Sequence, residues 1–159
     1  MVGGSRDKDF GNSMLARFEE LERKSGIRLE VPQKILLSEI GTVEQVLSIL
    51  AGEPVHVTVV EQKERRGVIA RVSTIGTASG RILVKAQSRI FVQNLPRKVV
   101  RLIQSQGIGI GSIIQRLELE TFRRITEIGY DPHTSNLFRR YRITISGKVC
   151  FEIREEFLK

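Results

Sequence analysis

ILVKAQSRIFV, residues 82–92, alternates along its length. Ile82, Val84, Ala86, Ser88, Ile90 and Val92 fall on one side of an extended chain, and Lys85, Gln87 and Arg89 fall on the other. Successive side chains of a strand point to opposite faces. The segment therefore predicts a strand with one dry face and one wet face, as antiparallel sheets commonly have. Ala78-Ser79-Gly80 before it reads as a hairpin turn. Beyond that turn, Val68 to Ile75 supplies a second strand, and Val55, Val57 and Val59, alternating with His56 and Thr58, a third.

Helical spacing frames these strands. Met14, Phe18 and Leu21 predict a helix near 12–25, with Asn12 and Ser13 as caps and Gly26 as its stop. Pro32 punctuates a stretch from Ile27 to Leu37 that reads as extended. Thr42 and Gln45 form a capping-box pattern ahead of Val43, Val46, Leu47 and Leu50, predicting a helix over 42–51 that Gly52 closes. Pro96 opens another helix near 97–106, and a short apolar helix follows at Ser112 to Leu117. Leu119 to Ile128, Tyr141 to Ile145 and Val149 to Phe157 complete the strands, with Ser146-Gly147-Lys148 as the last turn. Helices set between groups of strands predict an α+β fold: a single antiparallel sheet of about six strands, covered by helices, with enough apolar surface for an enclosed ligand cavity. Residues 1–9 read as a disordered N-terminus, and 10–159 as one domain.

The net charge of +8 is unevenly spread. Residues 1–62 hold 7 Lys and Arg against 10 Asp and Glu, whereas residues 63–159 hold 19 against 8. The larger part of the chain therefore draws anions. Nucleic acid is disfavoured as that anion, because only Phe122, Phe138 and Tyr141 lie near the Arg123-Arg124 and Arg139-Arg140-Arg142 clusters. A small anionic substrate fits better. Cys150 is the only cysteine, so no internal disulfide forms. No apolar run approaches the ~20 residues of a membrane span, and Met1 to Asp9 lacks a leader's apolar stretch, so the expectation is a cytoplasmic protein without a membrane partner.

His56 and His133 stand far apart with no further ligand at metal spacing, so no metal site is expected. There is no phosphate-binding P-loop and no nucleophile elbow. Gly107-Ile-Gly-Ile-Gly111 has two readings. It is either a tight joint between helices or a mobile loop whose backbone approaches a ligand. Arg71 alternates with Ile69, Ser73 and Ile75, and Glu155 with Phe151, Ile153 and Phe157. Charges on an apolar side rarely stand unpaired. A structural ion pair or a wet strand end accounts for them. So does a pocket that holds an anion by Arg71 and a hydroxyl by Glu155.

RRITEIG at 123–129, LFRRYRITISGK at 137–148 and FEIREEF at 151–157 resemble the C-terminal pattern of the chorismate pyruvate-lyase family, and more closely a microbial branch of it. ILLSEIGTVEQVLSILAGEPVHV (35–57) and AQSRIFVQNLP (86–96) extend the resemblance over about Ile35 to Phe157. Effector-binding domains of GntR-type regulators share that fold. The resemblance implies elimination of pyruvate from chorismate, giving 4-hydroxybenzoate, with no metal or organic cofactor. It implies Arg71 as the carboxylate clamp and Glu155 as the partner of the ring hydroxyl, acting as general acid or by orientation. It puts Ile110 at a position the family fills with Leu and Val43 at one it fills with Met, both as substrate-binding residues. Arg124 or Arg140 is the candidate for a second carboxylate. The short connection Gln62 to Gly67 departs from the family's longer one. The other reading is a non-catalytic module that binds or senses an aromatic carboxylate. Only about 35 residues precede the matching region, too few for a regulator's DNA-binding domain.

Overall fold

The computed structural model describes residues 10–159, so the expected disordered segment 1–9 lies outside the described residues. Five α-helices, α1 Phe10–Ser25, α2 Val31–Ser38, α3 Val43–Ala51, α4 Arg97–Gln104 and α5 Ile110–Arg116, accompany six strands, β1 Val55–Arg65, β2 Val68–Thr77, β3 Ile82–Phe91, β4 Phe122–Asp131, β5 Asn136–Ile145 and β6 Lys148–Phe157. The strands form one open sheet in the order β1-β2-β3-β6-β5-β4, and every neighbouring pair is antiparallel. Two three-stranded meanders thus meet along the β3–β6 seam. This is the expected α+β architecture with an antiparallel sheet.

The alternation read in residues 82–92 is the burial pattern of β3: Val84, Ala86, Ser88 and Ile90 are buried, whereas Lys85, Gln87 and Arg89 are exposed. Three apolar clusters cover the dry face. Ile69, Ile90, Ile143 and Phe151 pack with Val99, Ile103, Ile113 and Ile114 beneath α4 and α5. Ile75 and Val84 pack under Val43 and Leu47 of α3. Phe18, Leu21, Leu29 and Leu37 from α1, α2 and their link hold Leu137. Also buried in the dry layer are Arg71, Ser73, Ser88, Tyr141, Arg139 and Glu155.

Several local expectations are corrected. The stretch read as extended from Ile27 to Leu37 contains α2. Pro32 sits in its first turn, where a missing N–H costs nothing, and Glu30 with Gln33 closes a capping box (Glu30 N donates to Gln33 Oε1, 2.8 Å). Thr42 does precede α3, but its hydroxyl caps nothing and instead accepts from Gln115 Nε2 at 2.8 Å, tying α3 to α5. Asn12 and Ser13 lie inside α1 rather than at its cap. The strand expected from Tyr141 begins at Asn136, which carries Arg139 into the dry face.

Cys150 is the extra residue of a bulge where β6 leaves the register of β5. It is fully buried, with its thiol 3.3 Å from the Asn94 carbonyl. Burial pushes the thiol pKa up, which keeps it protonated and slow to react. Cys150 is therefore expected to react with an aromatic disulfide reagent only in denaturant. Labelling of the native protein at the rate of a free thiol would contradict this placement of β6.

Candidate functional site

Register builds the site. Across β2–β3–β6–β5, Ser73, Ala86, Glu155 and Arg139 form one cross-strand row, and Arg71, Ser88, Ile153 and Tyr141 form the next. All eight are buried on the same face. A cavity of about 50 Å³ lies over them. Its walls include Val43 and Glu44 of α3, Arg71, Arg123, Tyr141 and Glu155 of the sheet, and Gly109, Ile110 and Gly111 at the start of α5. The structure thus brings Arg71, Glu155, Val43 and Ile110 to one place.

Arg71 and Glu155 do not pair with each other. Arg71 Nε donates to Gln62 Oε1 (2.7 Å), Nη1 to the Ile108 carbonyl (2.9 Å) and Nη2 to the Ile103 carbonyl (2.8 Å). These oxygens are all neutral, and among the described residues Arg71 forms no salt bridge. Burial alone pulls its pKa below the usual arginine range. Gln62 reaches it because β1 bulges at Val60, which moves Gln62 opposite Arg71. Gln62 Nε2 also donates to the Ile103 carbonyl (3.0 Å), so the end of α4 is held twice.

Both oxygens of Glu155 are hydrogen-bonded inside the protein. Oε2 accepts from Arg139 Nε and Oε1 from the Tyr141 hydroxyl, both at 2.7 Å. Arg139 reaches on to Glu39 at the end of α2, donating to its carbonyl (2.6 Å) and to Oε1 (3.1 Å). Burial opposes the charge on Arg139, but Glu155, with Tyr141 and Glu39, outweighs it and raises the guanidinium pKa. Burial, then the Glu155 charge, pushes the Tyr141 pKa well above its ordinary value, which keeps the phenol a donor. For Glu155, then, the structural ion pair is real.

Glu44 is the second carboxyl of the cavity. Burial pushes its pKa up, Glu155 and Glu39 add to the shift, and Arg123 opposes it. The glycine segment is a joint between α4 and α5 and also a wall of the cavity. A Cβ on Gly109 would lie 2.9 Å from Val57 Cγ2, and one on Gly111 would lie 3.1 Å from Glu44 Oε2. Close approach therefore explains two of the three glycines, whereas Gly107 faces open space.

The proposed second-carboxylate residues are corrected. Arg124 and Arg140 are exposed on the opposite face of the sheet, where Arg124 lies over the Phe122 ring and Arg140 pairs with Glu127 at 3.0 Å. The arginine that lines the cavity is Arg123. A wider hollow of about 510 Å³ lies on that opposite face. Its charges are largely spent on one another, as in Arg89–Glu152 (3.2 Å) and Arg142–Glu152 (3.5 Å), and surface pairs of this kind contribute about 0–1 kcal/mol each. His56 and His133 are exposed, and among the described residues no three His, Cys, Asp or Glu side chains cluster to hold a metal. Nor is any described helix long and apolar enough to cross a membrane.

Sequence reasoning missed Arg139, Tyr141, Glu44, Gln62 and Arg123 as parts of the site. Arg139 and Tyr141 alternate with Leu137 and Ile143, the same signal that singled out Arg71. Arg123 shares a face with Ile125 by the same rule.

No family model matches the chain. A Methanocaldococcus jannaschii protein named "Putative lyase" is 33% identical over 147 residues, spanning 79% of this chain and 77% of its own. A Mycobacterium tuberculosis protein named chorismate pyruvate-lyase is 24% identical over 157 residues, spanning 79% of each chain. One of the same name from Mycobacterium leprae is 25% identical over 167 residues, spanning 87% of this chain and 80% of its own. With a third of its aligned residues shared with the archaeal protein over more than three quarters of both lengths, and with the mycobacterial lyases aligned over similar spans, the chain belongs to the chorismate lyase-like family.

Proposed function

We propose that the protein eliminates pyruvate from chorismate, or from a close relative, leaving 4-hydroxybenzoate. One observation carries this reading. Arg71 is a guanidinium only 2% exposed, at the wall of a cavity, with no acid among the described residues to neutralise it. An ion taken out of water costs several kcal/mol, and neutral carbonyls recover only part of that. A ligand carboxylate supplies the missing charge. A guanidinium has five N–H groups, and the three spent here leave two to meet it in a planar fork.

In this reading Arg71 holds the ring carboxylate. Glu155, two strands away on the same face, faces the hydroxyl at the far end of the ring, while Val43 and Ile110 pack the ring itself. Two bonds break: the C–H bond at the hydroxyl-bearing carbon and the C–O bond to the enolpyruvyl group. The electrons complete the aromatic ring, and the hydrogen ends on the departing three-carbon unit, which leaves as pyruvate. Atoms and electrons balance without an external oxidant or cofactor. The protein's task is to orient the substrate and keep water out. An apolar cavity of about 150 Å³ is what takes up benzene. A space of about 50 Å³ must therefore widen to admit a ring, and the α4–α5 joint that Arg71 holds by two carbonyls is the wall that gives way.

A second reading, a module that binds an aromatic carboxylate without turnover, is favoured by the internal hydrogen bonds that already engage both oxygens of Glu155. Chorismate consumption by the purified protein, followed as pyruvate release, separates the two. Turnover supports the lyase, and 4-hydroxybenzoate binding without turnover supports the module.

Arg71→Ala is expected to weaken 4-hydroxybenzoate binding, because truncating one partner of a buried charge pair typically costs about 2–5 kcal/mol, roughly 30-fold to several thousand-fold. Arg71→Lys should not fully restore it, since an ammonium lacks the planar fork. Titration calorimetry on the three proteins measures this, and equal affinities would remove Arg71 from the site. Glu155→Gln is expected to lower stability by about 3–5 kcal/mol, because it strips the Arg139 charge of its closest partner. Tyr141→Phe, which leaves that ion pair in place, should cost less. Denaturant unfolding of both variants decides, and a Glu155→Gln protein as stable as wild type would mean the buried pair contributes nothing.

A further inference from the structure

Three guanidinium groups reach the cavity region, and they differ in how their charge is met. Arg139 is neutralised by Glu155 and Glu39. Arg71 rests on neutral oxygens. Arg123 enters from β4, with β5, β6 and β3 lying between it and the strand of Arg71. It lies 5.9 Å from the centre of the Tyr141 ring, and among the described residues it forms no salt bridge. Glu44 in the same cavity feels its charge without bonding to it. A ligand with one carboxylate satisfies Arg71 and leaves Arg123 over.

We propose that Arg123 forms a second anion subsite, so that the cavity selects a ring acid carrying a second carboxylate on its side group over the monocarboxylate that remains once that group has left. This rests on the lyase reading for the identity of the ring acid, and extends it. Chorismate carries two carboxylates, one on the ring and one on the enolpyruvyl unit, while 4-hydroxybenzoate carries one. Arg71 then serves substrate and product alike, whereas Arg123 serves the substrate alone. Elimination breaks the link between the two anions. The aromatic product keeps a single anchor, which favours its release. Arg123 is half-buried and lies over the Tyr141 ring, which narrows the space its side chain can sample before ligand arrives. Its guanidinium is also more weakly hydrated than an ammonium. Both features reduce the cost of meeting a carboxylate there.

The test uses unreactive probes, so it does not depend on turnover. They are 4-hydroxybenzoate and 3-(carboxymethoxy)-4-hydroxybenzoate, which adds a carboxylate on an ether side arm. Affinities for wild type, Arg123→Gln, Arg123→Lys and Arg71→Ala are measured by titration calorimetry, with melting curves to confirm folding. Wild type should bind the dicarboxylate about 10- to 100-fold more tightly than the monocarboxylate. Arg123→Gln should reduce that preference to about twofold or less, whatever the absolute affinity of the variant for 4-hydroxybenzoate, and Arg123→Lys should retain part of it. Arg71→Ala should weaken both ligands. Equal wild-type affinities, or a preference that survives Arg123→Gln, would overturn the subsite whether or not chorismate is consumed. A dicarboxylate preference without pyruvate release would instead retain the subsite and remove the lyase reading.

Discussion

A charge enters the dry layer of this sheet only where its donors and acceptors are met, and the arrangement of the site follows from that constraint. Transfer of an ion from water to a protein interior is costly enough that each buried charge must be matched by an opposite charge or by several oriented dipoles. The protein uses both solutions side by side. Arg139, Glu155, Tyr141 and Glu39 form a closed network in which the Arg139 guanidinium and the Tyr141 hydroxyl donate to two carboxylates and one carbonyl. Arg71 instead takes the dipoles of the Ile103 and Ile108 carbonyls and the Gln62 amide, and so remains a net cation. No buried side-chain nitrogen or oxygen among the described residues lacks a hydrogen-bond partner. Yet satisfied hydrogen bonding is not neutralised charge, and that difference is what the proposed role of Arg71 rests on.

The two solutions also divide the labour between the helices. The closed network fixes the end of α2, since Arg139 holds both the carbonyl and the carboxylate of Glu39. The open one fixes the end of α4 and the glycine joint. Gly109 lets α5 sit against Val57 at a distance a Cβ would not tolerate without a shift, and Gly111 lies against Glu44 where a Cβ would crowd the carboxylate. Arg71 therefore also positions the segment above it, through the carbonyls of Ile103 and Ile108.

Much of this was legible in the chain, and the rest was hidden for identifiable reasons. The alternation in residues 82–92 and the apolar stripe of residues 43–50 revealed the sheet and α3. Parity along their strands singled out Arg71 and Glu155, because a charge in register with isoleucines is visible without coordinates. Arg139 obeys the same parity with Leu137, Tyr141 and Ile143, but the paired arginines of Phe138-Arg139-Arg140 obscured where the strand begins, and one polar residue of each sign per face is hard to tell from a wet strand end. Gln62 was out of reach for another reason. The bulge at Val60 that brings it beside Arg71 leaves no mark in composition. Pro32 was misread because a proline that breaks a strand and one that starts a helix look alike until Glu30 and Gln33 are weighed with it.

The two-meander layout has a consequence in time. Within each meander, strands joined by short turns pair residues close in sequence, whereas the β3–β6 seam joins Ile90 to Phe151 and Val84 to Phe157, residues 61 and 73 positions apart. Loop-closure entropy is lost before such distant contacts reward it, so contact-order arguments expect the hairpins to form first and the seam to close late. Arg71 and Ser88 belong to one meander, and Arg139, Tyr141 and Glu155 to the other. Neither half holds a site while the chain is folding. On that argument the cavity is assembled only when the seam closes, so its walls and the last long-range pairing of the sheet are set together.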